Sequence, residues 1–276
     1  MSIGSQTSAP TSQLADLLAS RAGVSSRFEK FLAATRETEG WFSNQSAAIW
    51  DSLLAFQSDL GLRGDLMEIG VWAGKSASLL AKNASKGERV LLVDCEMRTE
   101  QISDTLRRVQ ASDEVAIDAL EEDSAELWLH PLMQERYRRH RWFHIDGEHT
   151  AGAVRNDLEL ANKLVGKEGL VAVDDFFSWL YPQITESVLR YVREFPDQFS
   201  LFLCGYNKAY LARPHFVHRY LEFCQERLPA EMELRGQETT VAHTTLPGEM
   251  NTFGIGPRFQ GLQLRGPDWA PNEVLR

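Results

Sequence analysis

Cysteine is scarce in this chain, with three residues, Cys95, Cys204 and Cys224. The number is odd and no pair is spaced as CxxC, which excludes a disulfide framework or a cysteine zinc site and leaves reduced thiols. Long apolar runs are missing as well. Nothing approaches the roughly 18 residues that a membrane span needs. The opening MSIGSQTSAPTSQ has neither the basic start nor the apolar stretch of a secretion signal, so a cytoplasmic protein with no membrane partner is expected. Basic charge is in short supply: 29 Lys and Arg face 39 Asp and Glu, a net charge of −10. Such a field repels polyanions, so no nucleic-acid partner is expected. The single basic cluster, Arg136, Arg138, Arg139 and Arg141, reads as the solvated end of a helix and the start of a strand. Internal repeats are absent, and low complexity is confined to the N-terminus.

What is present is an ordinary globular composition: 276 residues, 43% hydrophobic and 25% charged. At roughly 150 residues per domain this suits one enlarged domain, and a homo-oligomer stays open. The first dozen residues, rich in Ser, Thr, Gln and Pro, are expected to be mobile. Helical spacing then predicts helices over Leu14 to Arg21, Phe28 to Thr38 and Gln45 to Leu60. From Asp65 short apolar runs alternate with helices: DLMEIG, RVLLVD, EVAID, WFHID and LVAVDD. That alternation predicts a parallel sheet covered on both faces. After a helix around Ile184 to Phe195, FSLFLCGY and KAYLAR are separated only by a tight turn near Asn207 and must be antiparallel. His215 to Arg227 reads as one more helix and the rest as irregular strands and loops. The expected division is 1–60, an N-terminal helical layer; 61–214, the core; and 215–276, an extension.

Ligands of open parallel sheets bind beyond the carboxyl ends of the strands. The first strand ends in Glu68-Ile-Gly70-Val-Trp-Ala-Gly74-Lys-Ser76, a glycine turn opening a helix. A phosphate loop needs four residues between Gly and Gly-Lys-Ser, and here there are three. The dinucleotide fingerprint has glycine where this chain has Trp72. A nucleoside without phosphates suits the turn better. Asp94 ends RVLLVD, where a carboxylate can accept from both ribose hydroxyls, and Asp123 with Ser124, after the third strand, could face adenine.

A second constellation is Phe143-His-Ile-Asp146-Gly-Glu-His149, followed by a helix and by Gly169-Leu-Val-Ala-Val-Asp174-Asp175. Asp146, Asp174 and Asp175 end neighbouring strands and can converge on a hard cation, Mg²⁺ in the first instance or Mn²⁺. Both aspartates can reach it only if the strand stops there, and Asp175 capping the next turn is the alternative. His149 could take a proton from a bound hydroxyl at neutral pH. His144 reads as a packed or hydrogen-bonded core group. Trp72, Phe176 and Trp179 could wall a pocket.

Over roughly residues 60 to 213, the glycine turn EIGVWAGKS, the IDGEH segment, the helix HTAGAVRNDLELANKLV and the strand LVAVDD resemble metal-dependent class I S-adenosylmethionine O-methyltransferases, in particular the macrocin and mycinamicin (macrolide sugar) group. The resemblance implies an α/β fold: a doubly wound, mostly parallel seven-stranded sheet with a reversed last strand. It implies that Glu68, Gly70, Gly74 and Ser76 hold the methionine part of the cofactor, that Asp94 takes the ribose, and that Asp123 and Ser124 sit near adenine. Asp146, also placed beside the cofactor, would bind metal with Asp174 and Asp175, and His149 would be the general base. The acceptor would be a hydroxyl of a small molecule such as a sugar or polyketide. A scaffold that binds the cofactor without catalysis, a tailoring enzyme without methyl transfer and a nucleotide hydrolase are the other readings.

Overall fold

The computed structural model describes residues 11–112, 114–243, 252–258 and 273–275. Ten strands form one sheet: β1 (Asp65–Ile69), β2 (Arg89–Asp94), β3 (Ala116–Glu121), β4 (His140–Ile145), β5 (Val165–Val173), β6 (Ser200–Gly205), β7 (Lys208–Ala212), β8 (Thr239–His243), β9 (Phe253–Pro257) and β10 (Glu273–Leu275). Their spatial order is β10-β8-β9-β6-β7-β5-β4-β1-β2-β3. The strands β1 to β5 pair in parallel, and β7 runs antiparallel to both β5 and β6. The mostly parallel sheet with a reversed last core strand is therefore present. Seven strands were expected, and ten are found among the described residues. The additional three come from the tail, where β9 pairs with β6 and β8 lies between β9 and β10.

Central strands form where every residue is apolar or internally paired. β1 and β4 are buried along their whole length, as parallel strands covered on both faces must be. One face is covered by α1 (Thr11–Ala34), α2 (Asn44–Asp59), α3 (Lys75–Asn83), α8 (Val217–Glu226) and α9 (Leu228–Leu234). There Trp50, Leu53, Leu80, Phe202 and Tyr220 join one core. On the other face α6 (Ala151–Leu164) and α7 (Pro182–Glu194) bury Leu158, Leu160, Ile184 and Val188. Ser43 and Thr150 cap α2 and α6 by accepting from the amides of Ser46 and Ala153. Between β2 and β3 lies α4 (Thr99–Arg108). A 3₁₀ turn, Ser124–Leu129, and the short α5 (Pro131–Glu135) connect β3 to β4. No helix of the described residues is long and apolar enough to cross a membrane.

Three expectations are corrected. The first two helices are one, because Gly23 lies inside α1 with open space around it and costs only about 1 kcal/mol of helix propensity. The basic cluster is only half solvated. Arg138 and Arg139 are exposed, but Arg136 and Arg141 are buried. Arg136 pairs with Asp65 at 2.5 Å, and Arg141 pairs with Glu88 at 2.8 Å and donates to Gln57 Oε1 at 2.9 Å. The region after residue 227 is more regular than expected, because Leu228 and Met232 bring α9 into the core. The expected mobile stretch, residues 1–12, lies outside the described residues except for Thr11 and Ser12, which open α1. The thiols of Cys95, Cys204 and Cys224 are free.

Candidate functional site

The chain leaves β1 toward β2 on one side, while β4 and β5 lie on the other, so the strand order reverses between β1 and β4. Such a switch point opens a crevice at the carboxyl ends. Gly70 turns away there with φ +81°, and a Cβ on it would stand 1.9 Å from the Asp146 carbonyl oxygen. Only glycine fits between the two strand ends. Gly74, at φ +79°, forms the N-cap of α3 without a side-chain cap, which leaves that helix start to the turn.

The turn is held from two sides. Asp94 Oδ2 accepts from the amides of Val71 and Trp72 at 2.7 and 3.0 Å, and Oδ1 accepts from Glu96 at 3.0 Å. Beneath it Glu68 is fully buried. Its Oε1 accepts from the Ser76 hydroxyl and lies 3.1 Å from His144 Nδ1. Burial pushes the Glu68 carboxyl up to about 8, against the opposing pull of Ser76 and Lys208. Glu68 and Ser76 thus meet each other, and Glu68 holds the turn from below. Asp123 is exposed and caps the 3₁₀ turn through Ala125 N–H at 2.9 Å. With Ser124 it stands at the carboxyl end of β3, two strands from the crevice.

On the β4 and β5 side the acids gather. His149 Nε2 lies 3.1 Å from Asp175 Oδ2 and 3.8 Å from Asp146 Oδ1. Its ring stacks on Tyr181 at 4.3 Å, and its carbonyl accepts from Gln183 Nε2 at 2.6 Å. The carboxylates of Asp146 and then Asp175 beside it raise the imidazole to about 10. The same histidine holds the Asp175 carboxyl below its usual range. Burial and then Asp174 drive Asp146 well above it. Asp174 Oδ1 accepts from the Asp175 amide at 2.8 Å, and Oδ2 pairs with the Lys208 ammonium. Asp175 has φ +55° and accepts from Asn207 Nδ2 at 2.5 Å. His144 is buried and lowered to about 3 by its burial and then by Lys208, which keeps it neutral. The core role expected of it holds.

The three acids border one mouth but divide into two overlapping donor groups. His144, Asp146 and Asp174 form an inner group and Asp146, His149 and Asp175 an outer one, each with its ligand atoms within 4.8 Å of one another. Oxygen-rich sets of this kind fit a hard cation, and in the inner one His144 Nε2 is buried without a hydrogen-bond partner. Trp72 is partly exposed, between Trp41 at 5.9 Å and the Arg98 guanidinium at 3.3 Å. Trp179 is exposed. Phe176, expected as a wall, is buried instead, in the core that holds Ile184 and Val188 of α7.

Lys208, Asn207, Tyr181 and Gln183 escaped the sequence reading. Lys208 carried the one usable signal, a lysine on the same face of its strand as Tyr210 in an otherwise apolar run.

Residues 67–176 match the family model described as a methyltransferase domain. The match takes in the glycine turn, the strands β2 to β4 and the end of β5 with Asp174 and Asp175. Among solved structures, a protein from Corynebacterium glutamicum is 12% identical, with 69% of this chain and 89% of that one covered and a TM-score of 0.51. The O-methyltransferase NovP is 16% identical over 63% of this chain and 83% of its own, at a TM-score of 0.47. The MycE methyltransferase of mycinamycin biosynthesis, solved with Mg and SAH, is 13% identical over 69% of this chain, at a TM-score of 0.48. The chain spans 54% of that enzyme's length. A search of curated proteins gives no match.

Proposed function

We propose that the protein transfers the methyl group of S-adenosylmethionine to a hydroxyl oxygen of a small molecule, such as a sugar or a polyketide, with a divalent cation held by Asp146, Asp174 and Asp175 and with His149 as general base. The observation that carries the proposal is the placement of His149 within reach of Asp146 and Asp175, at the strand ends that border the glycine turn. A scaffold that only binds cofactor needs no such base beside clustered acids.

Gly70, Gly74 and Ser76 would border the methionine part of the cofactor, with Glu68 fixing Ser76 from below. Asp94 holds three amides and keeps one acceptor site, on Oδ1, for a ribose hydroxyl. Asp123 and Ser124 would stand toward adenine, and Asp146 beside the cofactor. S-adenosylmethionine supplies an already activated methyl group. A bound Mg²⁺ or Mn²⁺ would lower the pKa of the acceptor hydroxyl and fix its direction. Asp146 and Asp175 keep His149 protonated in the free protein. Were those carboxylates engaged by a cation, the imidazole would be free to accept the hydroxyl proton, with Tyr181 stacked on its ring. Most of the acceleration then comes from alignment of oxygen, methyl and sulfonium. The net charge of −10 disfavours a polyanionic acceptor.

The test is methyl transfer from labelled cofactor to a panel of sugar, phenol and polyketide hydroxyls. Chelation should abolish turnover and Mg²⁺ or Mn²⁺ restore it, with cofactor binding largely retained. His149→Ala should keep cofactor and cation while lowering turnover by roughly 10² to 10⁴, with partial recovery at higher pH. Full activity in chelator would end the cation assignment. An unchanged pH profile in His149→Ala would remove the histidine from the reaction.

A further inference from the structure

The hairpin that joins β6 to β7 places one cation beneath the mouth. Lys208 is 1% exposed, the only buried lysine among the described residues. Its ammonium pairs with Asp174 Oδ2 and lies 5.5 and 5.7 Å from the ring centres of Phe42 and Trp50. The same carboxylate oxygen is 3.9 Å from His144 Nε2, a buried nitrogen with no hydrogen-bond partner. Lys208 is also within electrostatic reach of Glu68, Asp146 and Asp175. A buried ammonium is costly and persists where it balances buried acids. Here it stands on the carboxylate of Asp174, a member of the inner donor group with His144 and Asp146. Two cations a few ångströms apart repel strongly in so dry a place.

We propose that Lys208 is a positioning residue that serves as the resident counter-ion of the carboxylate site. It holds Asp174 in place, balances the acids in the absence of a divalent cation and weakens cation binding at the inner donors. The inference rests on the cation assignment proposed above.

Mn²⁺ titration of the full chain, read by the paramagnetic resonance of the free ion, tests it. Lys208→Met should bind Mn²⁺ at least tenfold more tightly than the unaltered protein. Chelation should lower its melting temperature by more than that of the unaltered protein. Lys208→Arg keeps the charge and should bind as the unaltered protein does. Should Lys208→Met fail to fold, Lys208→Gln, which can still donate to Asp174, carries the same comparison. Equal or weaker binding by the neutral variant overturns the counter-ion role. Binding by the variant alone supports it while overturning the cation requirement of the unaltered enzyme, and binding by neither overturns both.

Discussion

Glu68 illustrates what burial does to one carboxyl group. Its pKa in the folded protein is raised from 4.5 to about 8 by loss of water, so the folded state holds the proton more tightly than the unfolded chain. The linked stability is fully present below pH 4.5 and is lost as pH rises through about 8. Glu68→Gln removes this dependence while keeping an oxygen for Ser76. The variant should therefore gain stability relative to the unaltered protein between pH 5 and about 8, as read from melting temperatures across that range. A constant difference would mean that Glu68 does not titrate there. Legibility of the site divides along similar lines. Asp146, Asp174, Asp175 and His149 were readable because strand ends are marked by where apolar runs stop. Lys208 and Tyr181 were not, since their partners depend on the register of β5 against β7 and on where α7 begins, which no local spacing encodes.

Among the elements, the two turns at Gly61 and Gly70 separate conformational strain from collision. Both have positive φ, but a Cβ on Gly61 meets nothing within 4 Å, whereas one on Gly70 meets the Asp146 carbonyl. Gly61→Ala should cost about 1 kcal/mol, the ordinary penalty of a left-handed residue. Gly70→Ala should cost about 3 kcal/mol or more, because β1 and β4 must also move apart. Denaturant titration of the two variants measures the gap, and equal losses would show that the crevice can widen freely. Central strands such as β4 were legible as apolar runs, and the β6–β7 hairpin from its short turn. The tail strands were not. β9 is Phe-Gly-Ile-Gly-Pro, whose pairing with β6 comes from tertiary contact and not from propensity.

For the whole molecule, the tail is part of the core. Phe223 stacks on Phe56 at 4.6 Å, Tyr220 accepts from Gln57 Nε2 at 2.9 Å and Arg235 donates to Asp51 at 2.8 Å. A chain ending at residue 214 would expose Phe56 and the α2 face, uncover the β6 edge and leave Asp51 without that buried partner. It should not melt as one cooperative unit and should aggregate, which circular dichroism and size-exclusion chromatography would show. A monomeric, cooperatively melting fragment would mean that the tail's packing contributes little.

The β6–β7 turn sets a phase. Tyr206 and Asn207, at φ +47° and +65°, are the only residues between Gly205 and Lys208, a geometry that closes a hairpin with no slack. Adding or deleting one residue there would invert the alternation of β7 and send Lys208 to the opposite side of the sheet from Asp174. Surface hairpins ordinarily absorb such insertions and deletions in the course of sequence drift. This one is a ruler, because its length decides which side of the sheet Lys208 takes.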